Sequence, residues 1–173
     1  MKQIRKGCFE TNSSSVHTIA ICKTNELSIP GSVSIRCNNY DCENNKLHTT
    51  EDKLNYLITA LVEMRDNGLI TQSEYCDYFM TTTNLLEKFS VVYTFKASLN
   101  YGIDHILQLY SFIIDLFKDS NRLIHFLFNN NSVIITGSDG GEFNEFVTED
   151  NFTNFLENGF TDIGDYEIYI KDN

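Results

Sequence analysis

Two hydrophobic periods occupy separate blocks of this chain, and together they limit what it can fold into. Leu54, Leu57, Ile58, Leu61 and Val62 recur at helical spacing, whereas Val16, Thr18 and Ala20 alternate with His17, Ile19 and Ile21 at a period of two. A helix buries a stripe and a half-buried strand buries every second residue, so the chain needs both kinds of element around a shared core. Ser32 to Cys37 repeats the alternation after the Pro30-Gly31 turn signal, and Tyr166 to Ile170 reads as a last strand. Residues 2–9 look extended as well, with the polar turn composition Thr11-Asn12-Ser13-Ser14-Ser15 between them and the strand at 16–22.

The helical middle is punctuated by local signals. Thr50, followed by Glu51 and Asp52, opens a helix in the sense the macrodipole favours, and Asn67-Gly68 closes it. Thr71-x-x-Glu74 is a capping box for a second helix, with Leu85, Leu86 and Phe89 extending or following it beyond the Thr81-Thr82-Thr83 run. The two helices are expected to form a hairpin. Val91 to Phe95 is a short β-branched and aromatic run. The apolar stretch after Gly102, with Ile106, Leu109, Ile113, Leu116 and Phe117, then predicts a helix of about 15 residues, apolar almost all round and therefore central. Residues 121–128 read as a helix that Ser120 would cap or, through the alternation of Leu123, His125 and Leu127, as a strand hairpinned through Asn129-Asn130-Asn131, with the helix preferred; 132–136 reads as a strand, and Thr148 as the cap of a helix over Phe152, Phe155 and Leu156. The expected architecture is a single α+β domain over residues 1–173, a mixed or antiparallel sheet packed against four to five helices. It is β-rich over 1–37, helical over 50–128 and acidic over a β/α/β end at 132–173.

Composition then narrows the function. With 173 residues, 42% hydrophobic and 13% aromatic, the chain can bury a core, which excludes a disordered or collagen-like chain. No run approaches the roughly 20 apolar residues that cross a bilayer, and no secretory leader is visible, so a cytosolic location is expected. Five cysteines without such a leader read as reduced thiols, with Cys8 and Cys22 as small buried hydrophobes. Cys37 and Cys42 lack a second ligand pair at zinc spacing, with only His48 nearby.

Charge is distributed unevenly. Residues 1–46 carry a net +2, residues 47–136 a net −4, and residues 137–173 a net −9 with ten carboxylates and one lysine. Such a segment repels phosphate backbones, so direct nucleic-acid binding is disfavoured. The same field attracts a basic protein surface. Asp139, Glu142, Glu145, Glu149, Asp150 and Asp162 are the contact candidates, against the plainer reading of a solvated acidic surface. Aromatics interleaved with acids, as in Phe160, Asp162, Asp165, Tyr166, Glu167 and Tyr169, suit a protein interface or an ordinary edge strand. Asp139 and Glu142 lie in a Gly-rich loop but not at the spacing of an EF-hand, and no metal or cofactor is expected.

Phe9-Glu10-Thr11-Asn12-Ser13-Ser14-Ser15-Val16-His17 is the most unusual stretch. Its hydroxyls suit turn and cap chemistry or contacts to an anion, and Ser13, Ser14 and Ser15 near His17 have the composition of a nucleophile and its base. In an extended segment Ser15 and His17 share a face, but no third, orienting carboxylate is identifiable. His105 and His125 sit in apolar segments and read as core or boundary residues, His48 as loop.

The opening Lys2-x-Ile4-Arg5-x-Gly7-x-Phe9-Glu10-Thr11-Asn12-Ser13-Ser14-Ser15-x-His17 resembles that of a group of small proteins encoded by phages and prophages. A weaker likeness follows at Phe126-Leu127-Phe128 and Ile134-Ile135-Thr136-Gly137. The resemblance implies a mobile-element origin and a host-takeover or anti-defence role, and it carries over no catalytic residue. The resulting expectation is an acidic inhibitor of a bacterial defence nuclease, of the anti-CRISPR or anti-restriction type, whose carboxylates mimic DNA phosphates against a CRISPR effector or another nucleic-acid-binding defence enzyme. The alternatives are a small enzyme that acts on a nucleotide or phosphoryl group through the Ser-rich turn and His17, and an accessory structural phage protein.

Overall fold

The structure, a computed structural model, describes residues 16–40, 45–98, 100–103, 106–137 and 160–171. Its longest helices begin where side chains satisfy the free N–H groups of a first turn. Helix α1 (Thr50–Asp66) is capped by Thr49, one residue before the expected position, whose Oγ1 accepts from the Asp52 N–H at 3.1 Å. Helix α2 (Gln72–Lys88) starts at the expected capping box: Thr71 accepts from the Glu74 N–H, and the Glu74 carboxylate accepts from the Thr71 N–H at 2.7 Å. The threonine run does not break α2, because Thr81 and Thr82 turn their hydroxyls back onto the Asp77 and Tyr78 carbonyls.

The main sheet has five antiparallel strands in the order β3-β5-β1-β7-β6. These are β1 (Val16–Cys22), β3 (Asn45–Leu47), β5 (Val133–Gly137), β6 (Phe160–Ile163) and β7 (Tyr166–Lys171). β1 is central, paired through His17↔Thr136 on one side and His17↔Lys171 on the other. Its alternation holds: Ile19 and Ile21 join the large core under the helices, while Ala20 joins a smaller cluster with Val133 and Ile168 on the opposite face. β3, next to His48, lies outside every strand expected from the sequence, and β6 precedes the expected last strand. Gly164 and Asp165 form the two-residue turn from β6 to β7, with Gly164 at φ 57°, a value that suits the first position of a II′ hairpin.

A second, two-stranded sheet pairs β2 (Ser32–Ile35) in parallel with β4 (Val92–Phe95). Three α1 side chains close the free edge of β2. Glu51, Asn55 and Thr59, spaced four residues apart on one face of the helix, accept from the backbone N–H groups of Ser34, Arg36 and Asn38 at 2.9, 2.9 and 3.0 Å. Alternate N–H groups of an extended segment thus meet successive turns of a helix.

This ladder corrects one expectation. The central helix is α1, where even Lys53, Asn55, Tyr56 and Thr59 are buried. The segment at 106–117 is a 3-10 turn (Ile106–Leu109) running into α3 (Tyr110–Lys118), and it lies at the boundary, with Leu107 65% exposed. Asp119 ends α3 and caps α4 (Ser120–Phe128) by accepting from Asn121 and Arg122, in place of the expected Ser120 cap. With four α-helices among the described residues, the fold is α+β as expected. The extended stretch at 2–9 and the helix over 152–156 fall outside the described residues. Among those residues no helix is long and apolar enough to cross a membrane.

Candidate functional site

His17 is fully buried on the helix side of β1, with Nδ1 2.7 Å from the Tyr56 hydroxyl. Tyr56 comes from the buried middle of α1 and also packs on Tyr40, ring centroids 5.1 Å apart. Burial pushes the phenol of Tyr56 well above its ordinary pKa and that of Tyr40 to about 12, so both remain neutral donors at physiological pH. His17 is therefore held by the core. Ser13, Ser14 and Ser15 lie outside the described residues.

Of the six carboxylates selected as partner contacts, Asp162 is described, and Asp139, Glu142, Glu145, Glu149 and Asp150 are not. Asp162 stands on the edge strand β6, its side chain 65% exposed, and makes an ion pair with Lys23 at 2.8 Å. Asp165 at the hairpin turn is exposed, whereas Glu167 on β7 is half-buried and paired with Arg122. The C-terminal hairpin thus carries its charge on one margin of the sheet, part of it neutralised locally.

Sequence reasoning missed a buried polar knot where α4 turns into β5. Lys53, fully enclosed, donates from Nζ to the carbonyls of Asn129 at 2.6 Å and Ser132 at 3.1 Å. Asn129 bridges from this turn to the end of β1, donating to the Thr24 carbonyl at 2.9 Å. The Cys22 N–H donates to the Ser132 hydroxyl, which itself donates to the His125 carbonyl. Burial lowers the Lys53 pKa from 10.5 to about 7, partly offset by Asp52 and Cys22. The knot holds the α4–β5 turn against β1, and no local signal marked it, because Lys53 stands outside the stripe of Leu54, Leu57, Ile58, Leu61 and Val62. Cys22 is buried here as expected, and His125 is half-buried with Nδ1 3.1 Å from the Cys22 carbonyl.

An open pocket of about 290 Å³ lies where β2 and β4 end beside α1 and α2. One wall is an aromatic ladder: Tyr75 and Phe79 stack at 5.9 Å, Phe79 and Phe95 at 5.7 Å. Arg36 and Lys96 line the same pocket, both exposed, each directly following the last paired residue of its strand. Cys37 is half-buried in the lining, and burial raises its thiol pKa, so it is mostly protonated at neutral pH. Arg65 covers the Tyr75 ring at 4.7 Å while paired with Asp66 at 2.7 Å. Among the described residues no cluster of His, Cys, Asp and Glu is arranged to hold a metal ion, and Cys42 lies outside them. Compared with known proteins, the chain matches no family model, no curated protein and no solved structure.

Proposed function

We propose that this is a non-catalytic, acidic binding protein of phage or prophage origin that inhibits a bacterial nucleic-acid-handling defence enzyme by occupying its basic channel. The observation that carries the reading is the charge gradient, which leaves ten carboxylates and one lysine after residue 136. The topology is compatible with it, since β6 and β7 bring the end of this segment to an edge of the sheet with Asp162 and Asp165 exposed. Exposed carboxylates compete with phosphates for Lys and Arg, giving fast and salt-sensitive association. The resemblance of the N-terminal motif to phage proteins supplies the biological setting. The catalytic alternative draws less support, because the His17 imidazole is enclosed and engaged by Tyr56.

The test is capture of partners from a bacterial lysate at about 50 mM and about 500 mM salt, a range that spans weak to strong screening. A nucleic-acid-binding enzyme retained at low salt and released at high salt is expected. Reversal of Asp139, Glu142, Glu145, Glu149, Asp150 and Asp162 to Lys should abolish that capture while circular dichroism stays unchanged. Undiminished capture by the reversed protein refutes the electrostatic mechanism.

A further inference from the structure

We propose that the pocket at the ends of β2 and β4 binds a free nucleoside monophosphate, its base against the Tyr75, Phe79 and Phe95 ladder and its phosphate on Arg36 and Lys96. The argument begins with the two cations. The parallel register ends at Ile35↔Phe95, with the Lys96 N–H donating to the Ile35 carbonyl at 2.9 Å, so Arg36 and Lys96 occupy the next position side by side. Like charges at directly opposed positions destabilise a strand pair, and neither residue has an ion-pair partner among the described residues. Lys23, Arg65, Lys118 and Arg122, by contrast, each sit on a carboxylate. Two unpaired cations side by side at a pocket mouth, in a chain of net charge −11, form a local anion site.

The aromatic wall defines the rest of the ligand. Phe95 is 59% exposed, an arrangement that leaves an apolar ring facing water beside two charges. A planar heterocycle covers such a surface by stacking, while Arg36 supplies paired N–H donors for phosphate oxygens. The volume of about 290 Å³ is at the lower end for ligand sites, enough for one nucleotide and too small for a dinucleotide cofactor. The acidic remainder of the protein disfavours a polynucleotide, whose affinity depends on many neutralised phosphates. Among the described residues this pocket is lined by positions between 35 and 101, and none of that lining belongs to the acidic C-terminal segment.

Titration calorimetry and amide NMR of the full chain test the proposal with adenosine monophosphate, adenosine, inorganic phosphate and a terminally phosphorylated oligodeoxynucleotide. Saturable binding of adenosine monophosphate is expected, with amide shifts centred on Arg36, Cys37, Phe95 and Lys96. Adenosine and phosphate alone should each bind at least about tenfold more weakly, and so should the Arg36→Gln/Lys96→Gln protein and Phe95→Ala, whose exposed side chains leave the fold intact. The pocket reading is overturned by no saturable response at about 5 mM nucleotide, weaker than nearly any specific site. It is equally overturned by unchanged binding in the double variant, or by adenosine or phosphate matching the nucleotide. Tighter binding of the oligonucleotide overturns the assignment to a free nucleotide.

Discussion

Lys53 is wholly enclosed, and burial holds its ammonium pKa near 7 in the folded chain against 10.5 in an unfolded one. Between those values the unfolded chain binds more protons than the folded chain, so stability rises with pH across this window. Below about pH 6 both states hold the proton and the contribution is flat. Integrating the two titrations from pH 7 to pH 9 gives a gain of about 2 kcal/mol from this one group. For a chain of this size that corresponds to a rise of about 4–8 °C in melting temperature. Above about pH 10 the trend turns over, because the raised phenols of Tyr40 and Tyr56 keep protons that ordinary unfolded tyrosines release. The assay is urea unfolding followed by circular dichroism at half-unit steps from pH 6 to pH 9, on the natural protein and on Lys53→Met. Other titrating groups act on both proteins, so their difference isolates the lysine. Met lacks the proton and also the two bonds to the Asn129 and Ser132 carbonyls, which lowers stability at every pH by a nearly constant amount. The prediction is a stability gap between the proteins that widens by about 2 kcal/mol toward pH 9. Parallel pH profiles would show that the ammonium is not destabilised by its enclosure and would refute the reasoning.

Asn55→Leu keeps the size of the side chain but leaves the Arg36 N–H without its acceptor, and should cost about 1–3 kcal/mol by urea unfolding. Tyr56→Phe removes the hydroxyl 2.7 Å from His17 Nδ1 and should cost a similar amount, about 1–3 kcal/mol, with the largest NMR shifts at His17 and its strand neighbours. Gly68 follows α1 at φ 71° with open space where a Cβ would stand, so Gly68→Ala should cost about 1 kcal/mol through backbone strain alone. A neutral Gly68→Ala result would mean that the chain leaves α1 by another route.

What could be read from the sequence, and what could not, follows from the range of the forces involved. Caps and turns are local: Thr71 and Glu74 act within four residues, and Asn67-Gly68 terminates α1 with bonds that reach back no further than Glu63 and Met64. The one-residue errors at Thr49 and Asp119 arose where two neighbouring residues were each able to cap. β6 left a local trace in Gly164-Asp165, which suits a two-residue hairpin, whereas β3 left almost none because β5 supplies its pairing. The central place of α1 was hidden for a different reason. Lys53, Asn55, Tyr56 and Thr59 look like solvent-facing residues, yet each is buried against a partner supplied by distant chain, namely Asn129, the Arg36 N–H, His17 and the Asn38 N–H. Hydropathy ranks such residues as exposed because it cannot count bonds that only the fold creates. The same distinction separates the two functional readings. The acidic segment is a property of composition and is visible in one dimension, whereas Arg36 and Lys96 are sixty positions apart and meet only because β2 and β4 run parallel. Neutralising Arg36 and Lys96 should therefore leave salt-dependent capture of a basic partner intact, and reversing the carboxylates should leave nucleotide binding intact. If either change disabled both properties, the pocket and the acidic edge would have to be parts of one interface.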